Sequence, residues 1–342
     1  MTIQQVAEAA GVSASTVSRV LNSAPGIAAS TAEAVHRAVE AMAYKPTRRR
    51  RGAVRSINAS AAGQRVGFFI VQHQPGGASV PAYDHLLRGV SNACNDLHLD
   101  LQVGFIDSPG ELLHRLGRQK LDGLILHGIV PSGEMAEPLT GIPTVWLMGN
   151  RKRASWGDQV MPDNGLIGQT AAQFLLRNGH RNVVYHGVNS GWSMSVRSLA
   201  FQQAIEDAGG EVTVLNQPPA DDIAYVDERA RELVATFKNA KSRPTGLFVA
   251  EDWLLRSVYA AFAASGLHLG SDIGIISCNN DRPFLLGLSP APATIDIRFE
   301  RIAYRGVEQL VNRLARGGNL ADRVRIMIEP TLILPAGISS AA

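Results

Sequence analysis

Small hydroxyl residues and one arginine stand together in a short segment near the start of the chain: Ser13, Ala14, Ser15, Thr16, Ser18 and Arg19. Small side chains allow a helix to lie close to the major groove of DNA, and hydroxyl groups hydrogen-bond to phosphates or base edges. The fork of Arg19 matches the two acceptors of guanine. A lone arginine is more simply a solvated surface residue, so the prediction of DNA reading depends on the whole pattern.

A second set of polar residues follows directly after apolar, strand-like runs in the rest of the chain. Ligands of open α/β sheets bind beyond the carboxyl ends of the strands. The residues at these ends therefore predict a ligand cleft: His73, His127, Gly187, Glu251, Asp252 and Asn279.

The charge of the chain is divided unevenly. Residues 1–65 contain nine basic and three acidic residues, whereas the remainder contains 24 basic and 27 acidic ones. A run of four arginines, Arg48, Arg49, Arg50 and Arg51, lies in the basic part. This asymmetry indicates a polyanion-binding module attached to a mildly acidic body. A disordered basic tail is the alternative, but residues 2–44 have a regular apolar pattern.

The elements that position the first set are three short helices. The first has Val6 on its apolar face and ends at Gly11, and Ser13 caps the second. A third helix starts near residue 30 with Val35 on its inward stripe and stops before Pro46. Two short helices joined by a tight glycine turn and braced by a third predict a helix-turn-helix unit.

From Val66 onward, apolar strands alternate with helical stretches, which indicates parallel sheets covered on both faces. About ten strands are more than a single hydrophobic core usually holds, so two lobes are expected. The chain has no apolar run long enough to cross a membrane and no secretory signal pattern. Its two cysteines are too few for a disulfide framework or a four-ligand zinc site. We therefore expect a soluble cytoplasmic protein.

The stretch from Thr2 to Pro46 resembles the DNA-binding headpiece of the lactose-repressor (LacI/GalR) family, through TIQQVAEAAGVSASTVSRVLN and AMAYKP. The resemblance implies that Ala14, Ser15 and Arg19 read operator bases. It also implies that Ser13, Thr16, Ser18, Asn22 and Tyr44 approach or support the phosphate backbone. We add Lys45 and the four arginines to the predicted DNA-binding residues.

Residues 47–64 match the position of the family's hinge helix, which wedges a leucine into the minor groove. This chain has no leucine between Leu21 and Leu86. Val54 or Ile57 is the alternative wedge, and the arginine run could instead lie along the phosphates or in a narrow minor groove.

The remainder resembles the ligand-binding core of the same family, through stretches such as KLDGLIL, RSLAF, PTGLFVAED and SDIGIISCNND. The implied fold is an all-α helix-turn-helix headpiece (1–46), a linker (47–64) and a periplasmic-binding-protein-like α/β core (65–338). The core would have two doubly wound parallel-sheet lobes, the first about 65–160 with 296–322 and the second about 161–292 with 324–337.

The resemblance also implies residues that bind an effector. Arg197 matches the family's effector-binding arginine, whose fork suits sugar hydroxyls or a carboxylate. Asn279 stands in place of the usual aspartate, and Glu251 in place of the usual asparagine. Six further side chains are predicted to line the cleft: Tyr225, Trp192, Tyr83, Asp84, His127 and Phe299. For each of them the simpler alternative is a structural role in core filling, surface packing or helix capping.

We therefore predict an allosteric transcriptional regulator with a sugar-like effector between its two lobes. We expect this regulator to be a repressor. It would bind a palindromic double-stranded operator as a homodimer, since no leucine heptad follows Leu334 to build a tetramer. One alternative is a DNA-binding regulator that senses a protein partner or nothing. The other is a periplasmic-type sugar-binding protein. No catalytic motif, metal site or cofactor site is predicted.

Overall fold

The structure, a computed structural model, describes the following residues: 3–13, 16, 17, 20, 28–42, 63–71, 80–118, 120–128, 137–149, 156–188, 191–218, 223–239, 243–316 and 322–335. The chain divides into two compact units, Met1–Ser56 and Ile57–Ala342.

The first unit contains helices α1 (Ile3–Ala9) and α2 (Ala29–Ala41), and Thr16, Val17 and Val20 between them are also helical. Gly11 has a φ of 65°, the left-handed conformation that the sequence predicts for the end of the first helix. A small apolar core joins the helices: Val6, Ala7, Val17, Val20, Val35 and Ala38. The described part therefore has the helical arrangement expected of the headpiece.

The second unit contains two six-stranded sheets. The strands of the first sheet are β1 (Arg65–Val71), β2 (Asp100–Ile106), β3 (Gly123–Gly128), β4 (Thr144–Leu147), β5 (Asp158–Pro162) and β11 (Arg325–Ile328). Their order is β11-β5-β4-β3-β1-β2, and every pair is parallel.

The strands of the second sheet are β6 (Asn182–Val188), β7 (Glu211–Gln217), β8 (Gly246–Val249), β9 (Gly274–Asn279), β10 (Ala293–Asp296) and β12 (Thr331–Ile333). Their order is β12-β10-β9-β8-β6-β7, and only the β10–β12 pair is antiparallel. The predicted fold class, a helical headpiece with a core of two parallel-sheet lobes, is confirmed.

Helices connect the strands of both sheets: α3 (Val80–Leu97), α4 (Pro109–Arg118), α5 (Glu137–Thr140), α6 (Asn164–Arg177), α7 (Trp192–Asp207), α8 (Ile223–Asn239), α9 (Leu255–Ser265), α10 (Arg282–Leu285) and α11 (Phe299–Ala315). A 3-10 turn, Asp252–Leu254, precedes α9. No helix in the described part of the chain is long and apolar enough to cross a membrane.

The last crossing between the sheets lies later in the chain than the sequence predicts. We expected residues 324–337 in the second lobe, but β11 pairs with β5 in the first sheet, with Arg325 opposite Gln159. The buried carboxylate of Asp158 fixes this register, because it accepts hydrogen bonds from the Val324 amide (2.8 Å) and from Arg313 of α11. The crossing therefore falls between Ile328 and Thr331.

Close packing of α6 on α7 sets the position of the cleft residues on the second sheet. A Cβ on Gly168 of α6 would lie 2.3 Å from the backbone oxygen of Arg197 and 2.8 Å from the amide nitrogen of Phe201. Only glycine permits this approach. Arg197 of α7 is therefore covered by α6 and buried.

Candidate functional site

Two of the predicted DNA-binding residues lie in the described part of the headpiece. The Thr16 amide donates to the Ser13 hydroxyl at 3.1 Å, and the two hydroxyl oxygens lie 2.8 Å apart. Ser13 therefore caps the second helix, as its position predicts. The other predicted residues lie outside the described ones: Ala14, Ser15, Ser18, Arg19, Asn22, Tyr44, Lys45, Arg48, Arg49, Arg50 and Arg51.

The carboxyl ends of the parallel strands carry most of the predicted cleft residues. His127 is at the end of β3, Asn279 ends β9, and Glu251 follows β8 by two residues. His73 lies outside the described residues. Parallel strands of one sheet end at the same edge, which is where open α/β sheets bind ligands. Glu251 and Asn279 therefore share this edge of the second sheet, and His127 lies at the corresponding edge of the first.

Arg197 is a buried polar side chain at this edge, with 1% of its surface exposed. Its Nε and Nη2 donate to the side-chain oxygen of Asn164, at 3.2 and 2.9 Å. Its Nη1 donates to the backbone oxygen of Ala250, next to Glu251. The guanidinium thus joins the start of α6 to the end of β8.

Glu251 lies half-buried beside this group. Burial raises the pKa of the Glu251 carboxyl, while the charge of Arg197 and a hydrogen bond with Trp253 lower it. A carboxylate in this position can only accept hydrogen bonds.

Asp252 forms a second, fully buried network next to Glu251. Its carboxylate accepts from the Asp281 amide at 2.7 Å and from the Thr294 hydroxyl at 3.2 Å. Burial raises the pKa of Asp252 to about 7, although these hydrogen bonds oppose the shift. The network ties β8, β10 and the turn after β9 together.

Asn279 and Phe299, both predicted effector residues, line one cavity of about 470 Å³ together with His85 of α3. The ring of His85 stacks on Phe299, with centroids 5.6 Å apart and planes 8° from parallel. The Nε2 of His85 also lies 3.6 Å from the Oδ1 of Asp281. This contact links α3, which packs on the first sheet, to the turn after β9. Asn279 has a φ of 118°, a left-handed conformation that costs a non-glycine residue free energy.

Tyr83 and His127 meet on the side of the first sheet. Their rings make an edge contact with centroids 5.5 Å apart. The Nδ1 of His127 donates to the Leu147 carbonyl oxygen at 3.1 Å. Burial lowers the pKa of His127, although this bond opposes the shift, so the ring favours the neutral form.

Three predicted residues contact partners other than Arg197. Trp192 lies under the guanidinium of Arg325, 5.0 Å from its ring centroid, and Tyr225 lies under that of Arg229 at 5.3 Å. Asp84 is exposed and forms an ion pair with Arg88 at 2.7 Å, one turn along α3.

Sequence reasoning missed Asn164, although it holds Arg197 through two hydrogen bonds. Its place as the first residue of α6, two residues after the end of β5, is the signal that could have found it. His85 was also missed, because a histidine on an amphipathic helix has no distinctive pattern. Among the described residues, no group of three histidine, cysteine, aspartate or glutamate side chains is placed to hold a metal ion.

These features define a class of protein: a two-lobed α/β binding module preceded by a helix-turn-helix headpiece. Residues 2–47 match the family of bacterial regulatory proteins called the lacI family, and residues 172–334 match the periplasmic binding protein-like domain. The chain thus has a lacI-family helix-turn-helix domain followed by a periplasmic binding protein-like domain, and it is a DNA-binding transcriptional regulator.

Relatives match over nearly the whole chain. The HTH-type transcriptional repressors PurR of Pectobacterium atrosepticum and Photorhabdus laumondii are each 25% identical, covering 97% of this chain and 95% of theirs. A solved complex of the transcriptional regulator CelR with cellobiose has a TM-score of 0.66 at 21% identity, covering 98% of both chains. The lac repressor dimer bound to operator and the anti-inducer ONPF has a TM-score of 0.65 at 20% identity, again covering 98% of both chains.

Proposed function

We propose that the protein represses transcription as a homodimer that binds a palindromic operator, and that a sugar-like effector between the two lobes changes this binding. The observation that carries the effector claim is the position of Glu251 and Asn279 at the strand ends of the second sheet, with Arg197 bonded to the carbonyl of Ala250, next to Glu251. The headpiece would be residues 1–46, the linker 47–64 and the core 65–338. The lobes would follow the two sheets.

The mechanism we propose is allosteric. An effector that favours one arrangement of the two lobes within a protomer rotates the first lobe of one protomer against the first lobe of its partner. This rotation changes the distance between the two DNA-binding headpieces. Half-sites lie about one helical turn apart, so a small change in spacing is sufficient to weaken binding. Binding to operator DNA places the protein where the chromosome lies, in the cytoplasm.

An exposed apolar strand supports the homodimer. Strand β2 is at the edge of the first sheet, and Val103 and Phe105 are 45% and 48% exposed there. Exposed apolar residues on an edge strand favour pairing with another copy of the chain. Size-exclusion chromatography with light scattering should give a dimer, and a tetramer would contradict this part of the proposal.

The relatives are transcriptional repressors, and two of the similar solved structures hold a small ligand or operator DNA. They support a protein that binds DNA and a ligand, and we propose no catalytic step. CelR was solved with cellobiose, which supports a sugar-like effector here. A regulator without a small effector remains the competing function. A thermal-shift screen against sugars, sugar phosphates and purines separates the two, because stabilisation by a sugar that is lost in Arg197→Ala supports the effector, and no shift from any compound supports the alternative.

The experiment that tests the proposed function as a whole is selection of bound duplexes from random sequence, repeated with any compound that the screen finds. We expect enrichment of a palindrome without the compound and a changed yield with it. Recovery of unrelated sequences would overturn the proposal.

A further inference from the structure

Two titratable side chains from different lobes face each other beside the cavity that Asn279 lines. His85 is on α3, which packs on β1 and β2 of the first sheet. Asp281 lies in the turn between β9 and α10 of the second lobe. The Nε2 of His85 is 3.6 Å from the Oδ1 of Asp281, so an ion pair joins the two lobes here when both groups are charged.

The Oδ1 of Asp281 is a buried oxygen without a hydrogen bond. The Asp281 side chain is 6% exposed, and this oxygen has no hydrogen-bond partner among the described residues. A buried carboxylate oxygen without a donor destabilises the folded state. His85 is placed to supply a donor, since 3.6 Å is only slightly longer than a hydrogen bond. Its side chain is 28% exposed, so the ring exchanges protons with solvent.

Phe299 fixes the plane of the His85 ring. The two rings stack with centroids 5.6 Å apart and planes 8° from parallel, and Phe299 is buried at the start of α11. Aromatic contacts of this kind favour a defined orientation of both rings. His85 is therefore held by an apolar ring of the first lobe while its Nε2 faces a carboxylate of the second.

Other charged groups surround this pair on three sides, from α3, from the start of α11 and the segment before it, and from the second lobe: Asp84, Arg88, Asp296, Arg298, Glu300, Arg301 and Asp252. Arg88 forms ion pairs with Asp84 at 2.7 Å and with Glu300 at 3.6 Å. Asp296 accepts the amide hydrogen bond of Arg298 at 2.7 Å. Of the carboxylates in the described part of the chain, Asp281 is the one that forms an ion pair with His85.

The ionised form of Asp281 depends on His85. Burial raises the pKa of the Asp281 carboxyl, and the charge of a protonated His85 lowers it. Asp252 accepts the Asp281 amide hydrogen bond at 2.7 Å and adds negative charge beside it when ionised. A proton on His85 therefore favours the ion pair, and loss of this proton leaves Asp281 facing a neutral ring.

We propose that His85 and Asp281 form a proton-operated link between the lobes, closed when His85 carries a proton and released when the ring is neutral. Histidine is the side chain that ordinarily changes charge between about pH 5 and 8. The link stabilises the fold while the imidazole is protonated, and this contribution is lost as the pH rises. Only its consequence for operator binding rests on the proposed function, in which the arrangement of the lobes sets the affinity for DNA.

The first test is a double-mutant cycle in melting temperature. The wild type, His85→Gln, Asp281→Asn and the double variant are compared at pH 6.0 and at pH 8.5. At pH 6.0 we expect the double variant to lose about 2 °C less than the sum of the two single losses, and at pH 8.5 we expect the losses to add. The cycle isolates this pair from Asp252, whose pKa of about 7 lies in the same range, because Asp252 is present in all four proteins.

Two outcomes of the cycle overturn the proposal. Additive losses at pH 6.0 mean that the two residues do not interact, and an equal interaction at both pH values means that no proton operates the link. His114→Gln, at an exposed position of α4, is the matched control and should shift the melting temperature by less than about 1 °C. His85→Asn takes the place of His85→Gln if circular dichroism shows that the latter is unfolded.

The second test asks whether DNA binding follows the link. The Kd of the full-length protein for the duplex obtained by selection is measured at pH 6.0 and 8.5 for the wild type, His85→Gln and His114→Gln. His36 of the headpiece is exposed and also titrates, so the ratio of the two Kd values is compared between proteins. We expect this ratio to differ at least threefold between the wild type and His85→Gln, and to be the same in the wild type and His114→Gln.

Equal ratios in the wild type and His85→Gln overturn the claim that the link regulates DNA binding. If selection yields no preferred duplex, the proposed function fails. The melting cycle still decides whether the link exists, because it needs no DNA.

Discussion

Arg197 of α7 and Asn164 of α6 are joined by two hydrogen bonds, 3.2 and 2.9 Å long, that are buried from solvent. Asn164 begins the first helix after the chain leaves the first sheet, and Arg197 reaches from there to the end of β8. The pair therefore connects the crossing between the sheets to the edge where the effector is proposed to bind.

Loss of this pair should destabilise the core. In Arg197→Ala the Asn164 oxygen and the Ala250 carbonyl lose their buried donors, so we expect the free energy of unfolding to fall by about 2–4 kcal/mol in urea titration. Arg197→Lys should lie between this variant and the wild type, because one ammonium cannot reproduce the planar fork. Arg256→Ala, at an exposed position of α9, is the control and should be neutral. An Arg197→Ala protein as stable as the wild type would show that the buried fork contributes nothing.

The position of Arg197 was foreseen from the sequence, but its partners were not. Motif and strand-end reasoning locate residues along the chain, and they found Glu251 and Asn279 because parallel strands end at one edge. The direction of a guanidinium depends on the tertiary contact of α6 with α7, which no local pattern encodes. The same limit explains β11, since its short run of apolar residues suits either sheet and only the Asp158 carboxylate decides between them.

Close packing of α6 on α7 gives a second prediction. Gly168→Ala places a methyl group 2.3 Å from the Arg197 backbone oxygen, so the helices must separate. We expect a loss of about 1–3 kcal/mol in the free energy of unfolding, as for other overpacked sites. Gly117→Ala is the matched control, because a Cβ on this residue of α4 meets nothing within 4 Å. That variant should be unchanged or more stable by up to about 1 kcal/mol, and equal effects of the two substitutions would contradict the packing argument.

Asp158 should make the stability of the first sheet sensitive to acid. Burial alone would raise the pKa of this carboxyl, but hydrogen bonds from Arg313, Gln309 and the Val324 amide hold it below the ordinary value of 3.8. A carboxyl with a lowered pKa in the folded state stabilises the fold above its unfolded pKa and loses this contribution as the pH falls through the folded pKa. The wild type should therefore lose stability steeply below about pH 4.

The variant Asp158→Asn tests this assignment. Removing one partner of a buried ion pair costs about 3–5 kcal/mol, so we expect a large loss at neutral pH by urea titration. The difference between variant and wild type should shrink as the pH is lowered toward 2, since the wild-type carboxyl is then protonated too. A difference that stays constant with pH would mean that Asp158 is not ionised in the fold.

Asp252 should have the opposite dependence on pH. Its pKa is raised to about 7 in the folded protein against 3.8 for the ordinary carboxyl, mainly by burial. The folded state then holds a proton that the unfolded chain releases, so stability falls as the pH rises from about 4 to 7. We expect Asp252→Asn, whose amide oxygen still accepts from the Asp281 amide, to have a flatter profile in this range. A wild-type profile that is already flat there would contradict the prediction.

The central claim is that this chain reads DNA sequence, and the measurement that tests it most directly is the Kd of the full-length protein for two duplexes. One is the duplex obtained by selection from random sequence, and the other has the same base composition in shuffled order, both measured by fluorescence anisotropy at one physiological salt concentration. The account predicts at least about a thousandfold tighter binding to the selected duplex, as is typical of specific recognition. Equal Kd values for the two duplexes would contradict it.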